Sequence, residues 1–361
     1  MRKATTTIYD IADALGINPS TVSRALRKQP NLKPETVEKV LKMAKKLNYK
    51  PNAIAQSLKE RKTKLLGVLL PNVSSHLYVS MLNGIEDTAF RKNYSVICCK
   101  SDETYPREVA CLENLAGQAD GVIACVAQQT SRYDHFRQLR QQNLPLVFAE
   151  RAADKIAAHK VLFNDAALAF SLTEHLINVG YRRIALLTGP LRLKSCQDRL
   201  AGYRQALEQY RLPVVSELIT HVGLQVVDGQ QAVRHLMQTA APPDALLADG
   251  DALGLAAYTE LAKHNVVHEI GLAVFGSDPV FGLLQPGVTA IRSRGYEMGC
   301  SAAQLCIQQI EQTTAGAYRT DRLTSELVIR QSTLRGNESY VVNSYSNYHL
   351  GNVDEEVKYI Y

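Results

Sequence analysis

Polar side chains that could bond nucleic acid are concentrated in one short stretch, NPSTVSRAL, at residues 18–26. The stretch has few apolar residues but contains Ser20, Thr21, Ser23 and Arg24. Hydroxyl groups can bond phosphate oxygens or base edges, and an arginine can bond guanine through two parallel hydrogen bonds. The same side chains also occur as ordinary solvated surface, so their types alone leave both interpretations open.

Two short helices are predicted to position this stretch. Thr7 can cap the first helix with Asp10 completing a capping box, and Gly16 is typical of a helix C-terminus. Asn18 is a favoured N-cap for the second helix, and Pro19 suits its first position. The residues predicted to face inward are Ile8, Ile11, Ala12, Leu15, Val22 and Leu26. The polar side chains must then face outward, as in a helix-turn-helix whose second helix enters the major groove of DNA.

A third helix and a linker follow. The helix can begin at Pro34 and stop at Asn48–Pro51. Its predicted buried stripe consists of Val37, Val40, Leu41, Ala44 and Leu47. Residues 52–64, NAIAQSLKERKTK, are helix-prone but too short to be stable alone. We expect this linker to order when it pairs with a second copy and DNA.

The charge of the chain is unevenly distributed, although its total is only +6. Residues 1–64 contain fifteen Lys or Arg and five Asp or Glu, a net charge of +10, and the remainder carries −4. A small basic head on a slightly acidic body indicates a polyanionic partner for the head.

Several classes of protein are not indicated by this sequence. The seven cysteines are scattered without CxxC spacing, and neither a catalytic motif nor a metal or cofactor motif is found. No apolar run is long enough for a membrane span, and the N-terminus has no secretory signal. We therefore expect a reduced, cytoplasmic protein that is not an enzyme.

From residue 65 onward, short apolar runs alternate with amphipathic stretches of helical length. The predicted strands are 65–70, 95–99, 121–126, 145–149, 160–163, 183–187, 244–248, 271–275, 288–291 and 326–330. Continuous Val, Ile and Leu runs between helices predict doubly wound parallel sheets, which bind ligands at the carboxyl ends of their strands. The predicted fold class is an all-α helix-turn-helix head plus an α/β body.

Three segments resemble the LacI/GalR family of bacterial transcription regulators, namely IYDIADALGINPSTVSRAL, LKPETVEKV and LNYKPNAIAQSL. The resemblance continues more loosely to about residue 335. It implies a body of two parallel-sheet lobes, like a periplasmic binding protein, with crossovers near 162–166, 290–294 and 320–325. The implied domains are a DNA-binding head at 1–51, a hinge helix or linker at 52–64, a two-lobed effector-binding and dimerisation domain at 65–335, and a polar, tyrosine-rich tail at 336–361.

This resemblance also implies which residues contact DNA. The implied base-reading positions are Pro19, Ser20 and Arg24. The implied backbone contacts are Tyr9, Thr21, Ser23 and Asn31. In the linker, Asn52 and Gln56 are implied contacts, and Leu58 matches the leucine that wedges into the minor groove and kinks it. The family often has Ala-Arg where this sequence has Ala55-Gln56-Ser57, a departure that bears on the minor-groove contacts but leaves the leucine wedge intact.

The effector site is implied in the same way, in the cleft between the lobes. The matching motifs are PLVFAER with Glu150, DRLAGY with Arg199, ADGDALG with Asp249 and FGSDP with Asp278. Glu150 replaces the usual aspartate and Ala248 a usual asparagine, while Tyr78 and Phe163 are candidate stacking faces. An arginine with carboxylates and an aromatic ring suits a hydroxyl-rich ligand. The chain has no tryptophan, however, and Leu224 stands where some sugar-binding members have one, so a nucleobase or a sugar phosphate remains open.

These features predict a homodimeric transcription regulator, most simply a repressor, that binds a near-palindromic operator in double-stranded DNA under the control of a small-molecule effector. The tail has no leucine heptad, so no tetramerising coiled coil is expected. Two other hypotheses stay open. One is a cytosolic small-molecule-binding protein without promoter control, and the other is an enzyme on the same α/β fold.

Overall fold

The amino-terminal head is a three-helix unit. In a computed structural model of the 361-residue chain, residues 6–27, 32–49, 62–276, 279–292, 294–311 and 317–335 are described. The head helices are α1 (Ile8–Leu15), α2 (Pro19–Leu26) and α3 (Pro34–Lys46). Their shared core consists of Ile11, Ala12, Val22, Ala25, Val40 and Ala44.

Local capping explains where the first two helices begin and end. The backbone N–H of Thr7 donates to Asp10 Oδ2 at 2.6 Å and the Thr7 hydroxyl donates to the same oxygen at 2.8 Å, which confirms the predicted capping box. Gly16 ends α1 in the left-handed region with φ 63°. Asn18 Oδ1 accepts from Ser20 N at 2.9 Å, and Pro19 occupies the first position of α2.

One detail of the predicted head core is wrong. Leu41 is 40% exposed instead of buried. Because successive helix residues are rotated by about 100°, Leu41 lies beside the stripe that Val40 and Ala44 bury. In α2, Val22 is buried and Leu26 packs against the core as predicted, and Ala25 is buried beside them.

The body contains twelve described strands and, beyond the head, nine described α-helices. The strands are β1 (Leu65–Leu70), β2 (Ser95–Lys100), β3 (Gly121–Ala124), β4 (Leu146–Ala149), β5 (His159–Phe163), β6 (Ile184–Thr188), β7 (Ile219–His221), β8 (Ala245–Ala248), β9 (Gly271–Val274), β10 (Thr289–Arg292), β11 (Thr320–Leu323) and β12 (Glu326–Val328). The helices are α4 (His76–Arg91), α5 (Tyr105–Ala116), α6 (Asp134–Gln141), α7 (Asp165–Val179), α8 (Lys194–Gln209), α9 (Val226–Met237), α10 (Asp251–Lys263), α11 (Val280–Leu283) and α12 (Gly295–Glu311).

The strands form two six-stranded sheets with matching strand orders, β2–β1–β3–β4–β5–β11 and β7–β6–β8–β9–β10–β12. The pairs from β2 to β5 in the first sheet and from β7 to β10 in the second are parallel. These pairs confirm the expectation of parallel sheets, and at one edge of the second sheet β12 runs antiparallel to β10. An antiparallel edge strand on an otherwise parallel sheet is a common arrangement.

All ten predicted strands are present, with ends that differ by at most two residues. Two further strands, β7 and β11, were not predicted; they are short edge strands of three and four residues. Continuous apolar runs arise where a strand is buried on both faces. Both missed strands are half-exposed and β11 reads TDRL, so neither carries that signal.

The chain forms two compact units and passes between them repeatedly. Among the described residues, the first unit comprises those up to 74, 78–162 and 295–321, and the second comprises 75–77, 163–294 and 322–335. The three main passages, at 162/163, 294/295 and 321/322, lie within or directly beside the predicted crossover ranges. None of the helices in the described part of the chain is long and apolar enough to cross a membrane.

Two glycines permit a close crossing of helices in the first unit. A Cβ on Gly84 of α4 would collide with the carbonyl oxygen of Tyr296, and one on Gly299 of α12 would collide with that of Met81. The backbones of α4 and α12 are therefore in direct contact.

Candidate functional site

The outer face of α2 presents the side chains that the sequence indicated for DNA contact. Ser20 and Arg24 are exposed, while Pro19, Thr21 and Ser23 are partly exposed. In α1, Tyr9 is 63% exposed although it is a large aromatic residue. The structure therefore brings these predicted residues to the surface of one small unit. The predicted residues Asn31, Asn52, Gln56, Leu58 and Asp278 lie outside the described residues.

In the first unit, polar side chains gather at the carboxyl ends of the strands. We call this group the Glu150 cluster; it consists of Tyr78, Glu103, Cys125, Glu150 and Arg151. Glu103 follows β2, Cys125 directly follows β3 and Glu150 directly follows β4, so the parallel sheet itself brings them together.

Glu150 and Arg151 are the centre of this cluster. Glu150 Oε2 accepts from the Tyr78 hydroxyl at 3.1 Å and from the Cys125 thiol at 3.1 Å. Arg151 Nη1 donates to both carboxylate oxygens of Glu103, at 2.9 and 3.0 Å. Arg151 Nε forms an ion pair with Glu150 Oε2 at 3.1 Å, but this buried nitrogen makes no hydrogen bond.

Protonation in the Glu150 cluster follows from its burial. Burial raises the pKa of the Tyr78 hydroxyl and of the Cys125 thiol well above their usual values, and the nearby Glu150 raises both further. Burial acts to lower the pKa of Arg151, but the surrounding acidic groups outweigh it and raise that pKa. Tyr78 and Cys125 therefore act as neutral donors and Arg151 as a permanent cation. Glu150 also adopts the left-handed region with φ 65°, a conformation that residues other than glycine take rarely.

A second group lies at the carboxyl ends of the strands of the second sheet. We call it the Arg199 cluster; it consists of Asp165, Thr188, Arg199, Asp249 and Phe275. Thr188 ends β6, and Asp249 and Phe275 directly follow β8 and β9. Asp165 and Asp249 are 6% and 3% exposed, so the two carboxylates are charges removed from water.

Arg199 joins the members of this cluster. Its Nε and Nη2 each lie 2.7 Å from Asp165 Oδ1, and its Nη1 donates to Asp249 Oδ1. The guanidinium carbon lies 4.7 Å from the centroid of the Phe275 ring, a cation–π arrangement. Asp249 Oδ2 accepts from the Thr188 hydroxyl at 2.9 Å. Burial acts to raise the pKa of Asp249, but the Arg199 guanidinium and the Thr188 hydrogen bond outweigh it and lower that pKa.

The structure thus brings together four of the predicted residues, Tyr78 with Glu150 and Arg199 with Asp249. Phe163 is 5% exposed and belongs to the same unit as Arg199, and its carbonyl oxygen accepts from Arg322 at 3.5 Å.

Six members of the two clusters were not among the predicted site residues: Glu103, Cys125, Arg151, Asp165, Thr188 and Phe275. A usable signal existed for each of them, because each lies within four residues of the carboxyl end of a predicted strand, where parallel sheets bind ligands.

Another buried ionisable pair in the first unit, Glu108 and His135, stabilises the packing of the fold. Glu108 is fully buried and accepts from His135 Nε2 at 2.8 Å, the Thr130 hydroxyl at 2.6 Å and Ala127 N at 2.6 Å. These bonds join α5, α6 and the loop after β3. Among the described residues, no group of three or more His, Cys, Asp or Glu side chains could hold a metal ion.

Known protein families match both the head and the body of this chain. Residues 7–52 match the family described as bacterial regulatory proteins, lacI family, and residues 63–331 match the family described as periplasmic binding proteins and sugar binding domain of LacI family.

Catabolite control protein A of Priestia megaterium is 29% identical over 331 residues, covering 91% of this chain and 99% of the relative. The ribose operon repressor of Bacillus subtilis (strain 168) is 30% identical over 305 residues, covering 83% of this chain and 90% of the relative. The lac repressor dimer bound to operator and the anti-inducer ONPF has a TM-score of 0.81 at 23% identity, covering 92% of this chain and 100% of that one, which shows the same fold.

Proposed function

The chain belongs to the LacI family of bacterial regulatory proteins, and from that premise we propose that it is a transcriptional repressor controlled by a small-molecule effector. It binds a near-palindromic operator as a homodimer, because two heads related by a twofold axis match two half-sites. The observation that carries the proposal is a capped helix-turn-helix with an outward polar face, in one chain with two sheets whose strands end in charged clusters.

DNA binding is assigned to the head and the linker. Ser20 and Arg24 on the outer face of α2 contact base edges together with Pro19, while Tyr9, Thr21 and Ser23 bond the phosphate backbone. The basic residues of the head supply the non-specific attraction to DNA. We propose the division predicted from the sequence, with a head at 1–51, a linker at 52–64, an effector and dimerisation domain at 65–335 and a tail at 336–361.

Each of the two clusters, taken by itself, is a candidate for contact with the effector. Buried carboxylates and guanidinium groups form charge-assisted hydrogen bonds, and Phe275 supplies an apolar face, which together suit a ligand rich in hydroxyl groups. A sugar or a related metabolite fits this chemistry, in keeping with the sugar-binding description of the matched family. A coupling of about 1–3 kcal/mol between effector and DNA would suffice to switch a marginally stable linker.

The protein acts by binding and carries no catalytic step, and its place of action is the bacterial cytoplasm, where the chromosome is. The relatives support this assignment, since they are named as regulators and repressors.

The central experiment selects an operator with the protein itself. The full-length chain is used to enrich duplexes from a random library, and affinity for the enriched duplex is measured by gel shift between 50 and 200 mM salt. We expect affinity for the enriched duplex to fall by about a thousandfold across this range, as counterion release predicts for a site with many phosphate contacts. Failure to enrich any duplex, or an affinity that is insensitive to salt, would overturn the proposal.

The effector is sought separately by a thermal-shift screen of the full-length chain against sugars, sugar phosphates and nucleobases. A compound that raises the melting temperature and also changes affinity for the enriched duplex is the expected result. If every compound that raises the melting temperature leaves the DNA affinity unchanged, the proposed control of DNA binding by an effector is contradicted.

A further inference from the structure

The carboxylate of Asp120 holds the segment through which the chain enters the body, residues 62–64. Asp120 Oδ1 accepts from Thr63 N at 2.7 Å and from the Thr63 hydroxyl at 2.9 Å, and Oδ2 accepts from Lys64 N at 2.9 Å. The backbone N–H of Asp120, just before β3, donates to Leu65 O at 2.8 Å. One side chain therefore fixes the backbone of the two residues that precede β1.

The end of helix α12 holds the same segment from another side. Lys62 Nζ donates to Ile310 O at 3.3 Å, and Lys64 Nζ lies 3.9 Å from Glu311 Oε1. Lys64 Nζ also lies 4.3 Å from the centroid of the Tyr94 ring. Cations at a helix C-terminus interact favourably with the helix dipole. Helix α12 begins where the chain passes from the second unit into the first, so a single helix connects that passage to residues 62–64.

The second unit repeats the carboxylate contact at the equivalent place in its sheet. Asp244, just before β8, accepts from Arg182 N at 2.9 Å and from Arg183 N at 2.9 Å, and these two residues precede β6. Its own N–H donates to Arg183 O at 2.9 Å. The contact at Asp244 serves the fold alone, because its segment continues from α7 of the same unit. The contact at Asp120 holds the segment that leads to the head.

We propose that Asp120 is a positioning residue for operator recognition, because it fixes where the linker and the head leave the body. This inference rests on the proposed function. A fixed exit lowers the ordering cost of placing α2 against its bases. Non-specific binding depends mainly on phosphate charge and tolerates many orientations, so it should not depend on Asp120.

The test compares Asp120→Asn with Asp244→Asn in the full-length chain. Each variant loses a carboxylate that accepts from two consecutive backbone N–H groups, so we expect similar losses in melting temperature. We expect Asp120→Asn to weaken binding to the duplex enriched by the wild type by about tenfold, with less than about a twofold change on a scrambled duplex of equal length. Asp244→Asn should leave both affinities within about twofold of the wild type.

Equal effects of the two variants on the enriched duplex would overturn the inference, and so would parallel losses on the enriched and scrambled duplexes. Thr63→Val is a milder variant that removes one hydroxyl contact to Asp120 and keeps both backbone bonds. It should weaken specific binding by about threefold, and if Asp120→Asn does not fold, an unchanged Thr63→Val overturns the inference. A wild type that enriches no duplex refutes the proposed function instead, so the two failures are distinguishable.

Discussion

At the scale of single residues, Arg24 is the side chain of α2 best suited to reading a base, because it is long, charged and exposed. Arg24→Ala should weaken binding to the enriched operator by about 1–3 kcal/mol and change binding to a scrambled duplex much less. Fluorescence anisotropy with both duplexes measures the difference. Arg137→Ala, which removes another exposed arginine from the same chain, is the control. Equal losses for the two variants would show that Arg24 contributes only general charge.

Arg199 is expected to support stability as well as ligand binding, because it neutralises two buried carboxylates. Arg199→Met leaves Asp165 and Asp249 buried without their cation, which should lower the free energy of unfolding by about 3–5 kcal/mol. Arg204→Met, on the exposed side of the same helix, should change it by less than about 0.5 kcal/mol. Urea denaturation measures both values, and similar stabilities for the two variants would contradict the assignment.

His175 makes stability depend on pH in a defined window. Burial lowers its pKa from 6.5 to about 4, while its Nε2 is paired with the Thr333 hydroxyl at 2.8 Å. The unfolded chain therefore takes up this proton at a higher pH than the folded chain. The contribution to stability is present above about pH 6.5 and is lost as the pH falls toward about 4.

Melting curves recorded from pH 7 to pH 4 test this contribution in His175→Gln, which has no titrating group there. The variant should lose less stability than the wild type over this window. His264→Gln changes an exposed histidine and should follow the wild-type curve. A His175→Gln curve parallel to the wild type would contradict the assignment.

Predicting the site from the sequence worked best where a residue is part of a local motif. The capping residues of the head follow from short segments, and Arg199 and Asp249 were implied by the motifs DRLAGY and ADGDALG. Glu103 and Asp165 lie near the ends of predicted strands, but their contacts depend on how distant strands align. Nothing in the sequence near Glu103 shows that its partner is Arg151, 48 residues later.

At the scale of elements, the contact between α4 and α12 is sensitive to a single methyl group. Gly84→Ala places a Cβ against the carbonyl oxygen of Tyr296, and because both groups are in helices the backbone must move. We expect a loss of about 1–3 kcal/mol in the free energy of unfolding. Gly117→Ala is the control, since its Cβ would lie 3.9 Å from the nearest atom, Asn114 O. Thermal melts of both variants measure the losses, and a Gly84 variant as stable as the Gly117 variant would contradict the close contact.

The predicted strands include every buried strand and two of the four edge strands, and one physical reason explains why the edge strands β7 and β11 are not among them. Strands such as β1, LLGVLL, are buried on both faces and have unbroken apolar sequences. The edge strands β7 and β11 are stabilised mainly by backbone hydrogen bonds to one neighbour, which any residue type can provide. The antiparallel direction of β12 depends on where the chain last passes between the units, which no local pattern records.

At the scale of the whole molecule, the last described residues form hydrogen bonds to two strands and a helix of the second unit. The Ser332 hydroxyl donates to Leu272 O at 2.6 Å and accepts from Thr289 N at 2.9 Å, and Thr333 bonds both Thr289 and His175. These bonds connect the segment after β12 to β9, β10 and α7. The C-terminal side of the body therefore depends on residues beyond position 331, where the family match ends.

Truncation tests this dependence. A chain that ends at residue 335 keeps the bonds of Ser332 and Thr333 and is the reference for this test. A chain that ends at residue 329 loses all of them, at about 1 kcal/mol for each hydrogen bond. It should melt lower than this reference by about 2–4 °C for each kcal/mol lost from a domain of this size. Equal melting temperatures for the two truncations would contradict the role of this segment.

The repeated passage of the chain between its two units limits how new specificities can be engineered. Neither unit is one continuous piece of sequence, so a simple fusion of the front of one regulator to the back of another would mix parts of both lobes. A graft that transfers the whole unit containing the Arg199 cluster must exchange residues 163–294 and 322–335 together. It must keep residues 295–321 of the recipient protein, because they belong to the first unit. Any natural recombination event that swaps only one of these stretches would leave a sheet from one parent with an edge strand from the other.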